Sequence, residues 1–435
     1  MDDVVLNGPP AGVETAWWWY RIARDPLGTY GKLARKYGDA VRLRYGLKQS
    51  VLLLSRPEFA EHILVANQDN YVKSFTYRPL RTFLGSGLLT SEGEVWRRHR
   101  RLVQPVFAHR RISAFAPAMV EATDAAVGRW RAGQALDSAA MLRRLTLDIV
   151  GRVLFGADLG GHADRLGVAL GQLQHRVFVA MFLPSGAEPA LRAAARRPAG
   201  ELDRLVRTVI AERKRDGGGD RAPDLLDLMM SAGDGGGLTD AELRDEVLTL
   251  MLAGHETTAA TLTWTFLLLS RFPAARERLE AEVDAIGRPL RADDLDKLPW
   301  TRAVLSESMR LYPPAWTVER DAVRADSVSG IDIPAGATVV TSPYLIHRRP
   351  DLWPNPEGFQ PERFLEKTPK YAYLPFGGGK RICVGAGFAT QESMLVLATI
   401  ARTHRLDLLP GVTVTPRAEI TLRPAGPVPM RVLAR

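Results

Sequence analysis

The chain has 435 residues, of which 46% are hydrophobic and 25% charged, a composition typical of a globular protein with an extensive core. Its formal net charge is +9, yet no zinc-finger spacing, helix-turn-helix pattern or basic tail accompanies it, so nucleic-acid binding is not expected. The single cysteine excludes an intrachain disulfide. The N-terminus lacks a basic start followed by an apolar run, and its aromatic cluster at 17–20 is far too short to span a membrane. We therefore expect a cytoplasmic protein without a transmembrane anchor.

The predicted elements begin with a β-hairpin, in which alternation at 40–45 leads through a turn at 46–49 to an apolar strand at 51–54. From about 92 to 272 the pattern is mostly helical, with glycine-rich loops at 215–220 and 231–237. A second hairpin is predicted at 331–340, an irregular proline-rich stretch at 343–375, a helix at 382–404 and short strands in the last thirty residues. This pattern indicates a mainly α protein with a small β lobe, an α+β fold. We expect one domain over 1–435, with the β lobe drawn from about 38–56, 316–345 and 410–435.

A basic helix is predicted around Trp96 and Arg100, which lie four residues apart and share a face. An indole N–H and an arginine fork both suit a carboxylate. A solvated basic helix is the alternative for this segment.

The longest predicted helix carries an acid and two threonines at its centre, in the run 253–258. Thr239 and Glu242 form its expected capping box and Pro273 follows its end, which gives a rod of roughly 45–50 Å. Thr257 can donate back to the carbonyl of Ala253 and loosen the helix, and Gly254 permits close approach of a flat ligand. This predicts a polar notch for a small ligand, a water and a proton. A transmembrane helix, where Glu256 would be costly, and a core helix with incidental polar residues are the alternatives.

Glu307 and Arg310 share a helix face immediately before Pro313 and Pro314. With Arg363 they can form a buried network that locks the cysteine loop downstream, a structural role. A surface ion pair of little worth is the alternative.

The run 376–385 places Cys383, the only cysteine, after three consecutive glycines and before a helix. A metal thiolate needs backbone N–H groups and a helix N-terminus nearby, and glycines let the backbone wrap closely around it. This run therefore indicates that Cys383 is a metal ligand. A buried structural cysteine is the alternative.

These motifs, in this order, resemble the cytochrome P450 superfamily over nearly the whole chain. The resemblance implies a cytochrome P450 fold, in which haem b is sandwiched between the long central helix and the helix after the cysteine loop. It implies that Cys383 is the proximal ligand of the iron and that Glu256 and Thr257 handle protons during oxygen activation. The other cofactor-binding positions that it implies are Trp96, Arg100, Arg320 and Arg381 at the two propionates, and Ala253, Gly254, Phe376, Gly377 and Gly385 at the ring and the sulfur.

The implied activity is that of a monooxygenase, which uses dioxygen and two electrons to hydroxylate or epoxidise a hydrophobic small molecule. Since the sequence shows no flavin or iron–sulfur module, the electrons are expected from a ferredoxin or flavodoxin with its reductase, and NAD(P)H acts only indirectly. We expect a monomer. The expected docking surface is basic, with plain solubility as the alternative, and comprises Arg97, Arg98, Arg101, Arg110, Arg111 and Lys380.

By analogy with the family, the pocket is apolar and aromatic, which favours a terpenoid or similar natural product. A polyketide, a fatty acid or a steroid is the alternative, and Arg78, Arg81 and Arg423 either meet a substrate carboxylate or lie at the surface. The expected pocket residues are Phe75, Tyr77, Phe83, Phe178, Met181, Phe182, Leu252, Ala253, Thr261, Trp316, Val318 and Leu422.

Other function classes remain open at this point. A peroxide-driven or isomerising haem-thiolate enzyme would not depend on a reductase, and the acid–alcohol pair at Glu256 and Thr257 argues against it. A non-catalytic haem sensor would need a signalling module, which the sequence does not show.

Overall fold

The computed structural model describes residues 5–46, 49–182, 188–216, 224–230 and 237–435. Most of the two predicted loops at 215–220 and 231–237 lies outside the described residues. The helices are α1 Val13–Arg24, α2 Pro26–Tyr37, α3 Pro57–Glu61, α4 Tyr77–Leu84, α5 Gly93–Val103, α6 His109–Ala114, α7 Ala116–Val127, α8 Ser138–Phe155, α9 Ala163–Ala180, α10 Glu188–Asp216, α11 Leu225–Met230, α12 Asp240–Arg271, α13 Pro273–Asp284, α14 Pro299–Leu311, α15 Pro343–Ile346 and α16 Ala386–Ala401. The strands are β1 Leu6–Asn7, β2 Ala40–Tyr45, β3 Gln49–Leu54, β4 Tyr71–Lys73, β5 Ala135–Asp137, β6 Val318–Ala322, β7 Asp326–Val328, β8 Ile331–Ile333, β9 Thr338–Thr341, β10 His404–Leu408, β11 Pro416–Ala418, β12 Leu422–Pro424 and β13 Pro429–Ala434.

The largest sheet has six strands in the order β1-β2-β3-β9-β6-β4. Its first hairpin is confirmed, because β2 and β3 pair antiparallel with Ala40 opposite Leu54. The expected single β lobe is divided, however. The C-terminal strands form separate sheets, β10-β13-β5 and β11-β12, and are not part of the six-stranded sheet.

The second hairpin prediction is wrong, although its turn exists. The Ala337 N–H donates to the Pro334 carbonyl at 3.0 Å, and Gly336 has φ of 76°. The strands on either side of this turn do not pair with each other: β8 pairs back with β7, whereas β9 enters the large sheet between β3 and β6. Sequence alternation marks strands, but it does not tell which partner buries them.

Helix α12 has 32 residues and forms the centre of the helical body. Its predicted capping box is present, since the Glu242 N–H donates to Thr239 Oγ1 at 3.3 Å and the Thr239 N–H donates to Glu242 Oε2 at 2.9 Å. The helix packs against α8, α14 and α16, and it is buried along most of its length. Because α16 begins just after Cys383, this packing ties the cysteine loop to the helical body around α12.

The predicted helix at 382–404 is shorter in the structure, because α16 ends at Ala401 and His404 already begins β10. The aromatic cluster at 17–20 lies in α1, where Trp18 is buried and Trp17 and Tyr20 are exposed. Within the described part of the chain, no helix is both long and apolar enough to cross a membrane.

Candidate active site

The loop around Cys383 is shaped by its glycines and closed by one backbone hydrogen bond. Gly377 and Gly379 have φ of 71° and 64°, and a Cβ at Gly379 would lie 1.7 Å from the Leu64 carbonyl oxygen. The Cys383 N–H donates to the Phe376 carbonyl at 3.0 Å, which folds the loop back on itself. Gly385 precedes the first turn of α16, so the thiol lies near the positive end of that helix.

The thiol of Cys383 is exposed, but the exposure is to the interior of the molecule. Burial raises the pKa of this thiol, while a hydrogen bond from the Gly385 N–H and the charge of Arg100 lower it. The sulfur is therefore shielded from bulk water but accessible from the interior of the molecule. Such a sulfur is prepared for a cationic partner, which would favour the thiolate.

The loop is anchored by a buried network that matches the predicted one. Arg310 donates to both Glu307 oxygens at 2.6 and 2.8 Å, and Arg363 Nε lies 3.3 Å from Glu307 Oε1. Arg310 also donates to the carbonyl of His347 at 2.8 Å, and His347 Nε2 accepts the Leu374 N–H at 2.8 Å. This chain of contacts extends from α14 to the residues that enter the cysteine loop. His347 was not found by sequence reasoning, since no local pattern marks it.

The polar notch on α12 is present, with one difference in its construction. Thr257 Oγ1 donates to the Ala253 carbonyl at 2.7 Å, although α12 stays helical throughout and is not loosened there. Ala253 is exposed and Thr257 half-buried in the middle of a buried helix, so this face is free for a flat ligand. A Cβ at Gly254 would lie 3.2 Å from Val150 in α8, so this glycine permits close packing of the two helices, and its predicted approach to a flat ligand stays a prediction.

Glu256 is buried on the adjacent face of α12. Gln174 of α9 donates to it, Thr421 Oγ1 lies 3.4 Å from its Oε1, and Arg423 Nε lies 3.9 Å away. Burial raises the pKa of Glu256, and Arg423 and Gln174 oppose that rise. A carboxyl group with a raised pKa, on the residue next to a hydroxyl of the cavity wall, can hold and pass a proton. Arg423 is engaged with acids, and so it is not available to a substrate carboxylate.

A group of cations surrounds Trp96 with little opposing charge. Arg381 lies 3.8 Å above the Trp96 ring and pairs with Glu92, and Arg100 Nη1 donates to the Ile382 carbonyl at 2.9 Å. Arg320 in β6 is directly opposite Lys73 in β4. Like charges at directly opposed strand positions destabilise a sheet unless an anion lies between them.

Lys73 was missed by sequence reasoning, because β4 is short and its pairing with β6 is remote in the chain. Its ammonium donates to the carbonyls of Leu88 and Ser91 at 3.1 and 3.2 Å. Burial lowers the pKa of Lys73 to about 6, and the nearby charges of Arg381 and Arg320 act in the same direction. This excess of buried positive charge favours an anionic ligand.

These features together fit a haem. The iron takes a thiolate, the flat ring needs an uncovered helix face, and two propionates need cations. Cys383 offers the first, Ala253 and its neighbours the second, and the cations around Trp96 the third. Phe376 and Gly377 are half-buried in the loop beside the sulfur.

A cavity of about 260 Å³ lies beside the notch, and its wall includes Ala253 and Thr257. It contains most of the predicted pocket residues, namely Phe75, Tyr77, Phe178, Met181, Phe182, Leu252, Ala253 and Trp316. Other residues of the wall were not predicted individually, and among them are Trp19 and Ile22 of α1, Tyr30 of α2, Tyr45 of β2, Val51 of β3, Leu80 of α4, Gln174 of α9, Val340 of β9 and Glu419 of the C-terminal turn.

Four predicted pocket residues do not lie on this wall. Phe83 and Leu422 are buried in hydrophobic clusters, and Thr261 lies one turn beyond Thr257 with its hydroxyl bonded to the Thr257 carbonyl at 3.0 Å. Val318 points to the other face of β6, whereas Thr317 and Glu319 line the cavity, as strand alternation requires. Arg78 and Arg81 are exposed at the surface.

Comparison with known proteins gives consistent results. The model of the Cytochrome P450 family matches residues 9–429. Cyclooctatin synthase from Streptomyces melanosporofaciens is 36% identical over 97% of this chain and 94% of its own length. Pentalenene oxygenase from Streptomyces avermitilis is 32% identical over 99% and 98% of the two chains. The crystal structure of CYP175A1 from Thermus thermophilus superposes with a TM-score of 0.80 at 31% identity, covering 99% of this chain and all of that one.

Proposed function

The chain belongs to the cytochrome P450 family and is a cytochrome P450 monooxygenase, and we propose that its substrate is a terpenoid. Members of this family use haem and dioxygen, receive electrons from a redox partner and act on hydrophobic molecules. When bound, the haem supplies oxygen activation, and the protein supplies binding, orientation and protons. The residues that bind the haem, orient the substrate and supply protons are assigned below.

The observation that carries the proposal is the cavity beside Ala253 and Thr257. Its wall is mostly apolar and aromatic, with Phe178, Phe182 and Trp316 among its rings. Such a wall binds a hydrocarbon skeleton by shape and burial. Three relatives support the same substrate class by name: cyclooctatin synthase, pentalenene oxygenase and cyclooctat-9-en-7-ol 5-monooxygenase, the last 35% identical over 94% of this chain.

We assign the residues as follows. Cys383 holds the iron of haem b, and Arg100, Arg320, Arg381, Lys73 and Trp96 hold its propionates. Thr257 would hold a proton at its hydroxyl on the cavity wall, and Glu256 would resupply that proton. Because Glu256 is buried and its pKa is raised, it can be protonated between turnovers and return the proton at Thr257.

We assign electron delivery to a separate ferredoxin or flavodoxin. Arg101, Arg110 and Arg111 are exposed on α5 and α6, and Arg100 of α5 donates to the carbonyl of Ile382, an exposed residue of the cysteine loop. Arg97, Arg98 and Lys380 are already paired with Glu94, Glu242 and Asp69. The free positive charge beside the cysteine loop suits an acidic partner.

The proposal is tested on the purified holoprotein. After reduction under carbon monoxide, the Soret band should shift strongly to the red, and Cys383→Ser should abolish this shift. Purified terpenes of 15 and 20 carbons are then titrated in, together with a steroid, a fatty acid and a macrolide of similar size. Spin-state shifts and oxygenated products confined to the terpenes support the proposal. Turnover of another class in their place would overturn the assigned substrate.

A further inference from the structure

The cavity has one polar corner, which is remote in sequence from Glu256 and Thr257. Three strands of the large sheet turn one face to the cavity, and their register places Glu319 opposite Val340 and Val51 opposite Thr338. All four residues lie on the cavity wall. Glu319 is the only acid among these four, and Thr338 is the other polar residue among them.

One oxygen of Glu319 is occupied and the other is not. Thr76 Oγ1 donates to Oε2, and Ser74 Oγ lies 3.4 Å from the same atom. Among the described residues, Oε1 has no hydrogen-bond partner. Asp321, two residues along the same face, differs because its oxygens accept from Thr338 Oγ1 at 2.6 Å and from the Phe75 N–H at 3.1 Å. Both oxygens of Asp321 are therefore hydrogen-bonded within the protein. For Glu319 only Oε2 is, among the residues that the structure describes, and Oε1 is available to a ligand.

Tyr30 supplies a second unused group in the same corner. Its side chain is 7% exposed and lines the cavity, with its ring 5.6 Å from that of Trp316. Its hydroxyl has no hydrogen-bond partner in the described part of the chain, although a buried tyrosine hydroxyl is normally bonded. Tyr30 and Glu319 both line this cavity, and the charge of Glu319 adds to the rise in the pKa of Tyr30 that burial causes.

We propose that Tyr30 and Glu319 bind an oxygen atom already present on the substrate, which is therefore a terpene alcohol or ketone and not a bare hydrocarbon. This inference rests on the proposed terpenoid function and makes it more specific. The neutral tyrosine hydroxyl can donate and accept, and Glu319 adds an acceptor, or a donor when it is protonated. Burial raises the pKa of Glu319 and Asp321 adds to the rise, so the carboxyl tends toward the donor form.

The same corner is unfavourable for a substrate carboxylate. A buried carboxylate needs a paired cation, and Arg320, the one cation on β6, points to the other face of that strand. The substrate oxygen must have been installed earlier. The reaction that supplies it is either a previous hydroxylation or a terpene cyclisation that ends by capturing water.

The test compares matched alcohol and hydrocarbon pairs on the holoprotein: cedrol with cedrane, and phytol with phytene. Binding is measured by the Soret spin-state shift and by equilibrium dialysis of labelled compounds. We expect at least one alcohol to bind about tenfold more tightly than its hydrocarbon, the size of one or two net hydrogen bonds. Tyr30→Phe and Glu319→Leu should each remove most of this preference without weakening the hydrocarbon. Glu319→Gln, which keeps a donor and an acceptor, should retain it.

Val340→Ala is the control, because it widens the wall directly opposite Glu319 and should weaken alcohol and hydrocarbon alike. Equal binding of alcohol and hydrocarbon by the wild type would overturn the inference, as would a preference that survives in both Tyr30→Phe and Glu319→Leu. If no terpene of either kind binds while the carbon monoxide spectrum is intact, the proposed substrate class itself fails, and the inference falls with it.

Discussion

The Cys383 loop and the substrate cavity are built from the chain in different ways. The loop is ten consecutive residues, 376–385, and its glycines, its helix start and its cysteine can be recognised together in the sequence. The cavity wall combines residues as far apart as Trp19, Thr76, Phe178, Trp316 and Glu419. Chemistry common to a family can reside in short motifs, whereas specificity depends on residues that only the folded chain brings together. The predictions below test this contrast, beginning with the anchor of the loop.

The largest effect is expected from Glu307→Gln. It leaves Arg310 buried with a neutral partner, and breaking a buried pair in this way costs about 3–5 kcal/mol of unfolding free energy. Because Arg310 also holds the carbonyl of His347, the cysteine loop should lose its position and the protein should retain little haem. Urea unfolding and haem content measure both effects.

Glu362→Gln is the matched control. Glu362 lies next to Arg363 but is exposed, with only Arg278 at 3.9 Å, so its loss should cost less than about 1 kcal/mol. If Glu307→Gln were as mild as Glu362→Gln, the rigidity of the loop would not come from this network.

The second prediction concerns the hydroxyl proton of Thr257, which lies in α12 on the cavity wall. Thr257→Val keeps the shape of the side chain but removes the hydroxyl. Product formed per dioxygen consumed should fall at least about tenfold, while electron consumption continues, since positioned proton donors contribute about 10²–10⁴-fold. The measurement is the ratio of hydroxylated product to oxygen uptake.

Thr263→Val provides the comparison for that ratio. Thr263 lies on the same helix and makes the same type of backbone contact, to the Ala259 carbonyl at 2.6 Å, but it is buried away from the cavity wall. Its ratio should match the wild type. An unchanged ratio in Thr257→Val would remove the assigned role of that hydroxyl.

The extent of the sequence prediction follows the same contrast. The capping box of Thr239 and Glu242, the hairpin of β2 and β3, and the partners Glu307, Arg310 and Arg363 were predictable, because each rests on local spacing or on a motif. The second hairpin was predicted wrongly, since the turn at Pro334 is local but the partner of β9 is not. Lys73, Tyr30 and His347 were missed for the same physical reason. Each acts through partners outside its own local segment: Leu374 and Arg310 lie 27 and 37 residues from His347, and the cross-strand partner of Lys73 is Arg320.

The third prediction addresses the surface beside the loop. Arg110→Glu combined with Arg111→Glu should raise the KM for a ferredoxin about tenfold at low salt, with less effect as ionic strength rises, because exposed charges steer association. Single-turnover reduction by dithionite should remain at the wild-type rate. Arg24→Glu in α1, whose neighbours Trp19 and Ile22 line the cavity, should leave the KM unchanged. Equal effects of the two charge reversals would indicate general charge attraction and not a docking surface.

The smallest expected effect is a pH dependence of the unfolding free energy. It comes from His347, which connects Arg310 to the cysteine loop. Burial lowers the pKa of His347 from 6.5 to about 3, and the charges of Arg348 and Arg310 act in the same direction. In the unfolded chain, His347 therefore binds a proton below about pH 6.5. In the folded chain it does so only below about pH 3. The stability from neutral His347 is fully present above pH 6.5 and is lost as the pH falls through this window, by up to about 1.4 kcal/mol per pH unit.

His347→Gln, which can still accept the Leu374 N–H, should lower the slope of unfolding free energy against pH between 6 and 4 by about one proton. Burial also lowers the pKa of His255, to about 4, and lowers that of His404, so His347→Gln should remove only part of the wild-type slope in this window. His109→Gln changes an exposed histidine and serves as the control. An equal slope of unfolding free energy against pH in His347→Gln and in the wild type would mean that His347 is not held neutral. The connection from Arg310 through His347 to the cysteine loop would then not account for the rigidity of the loop.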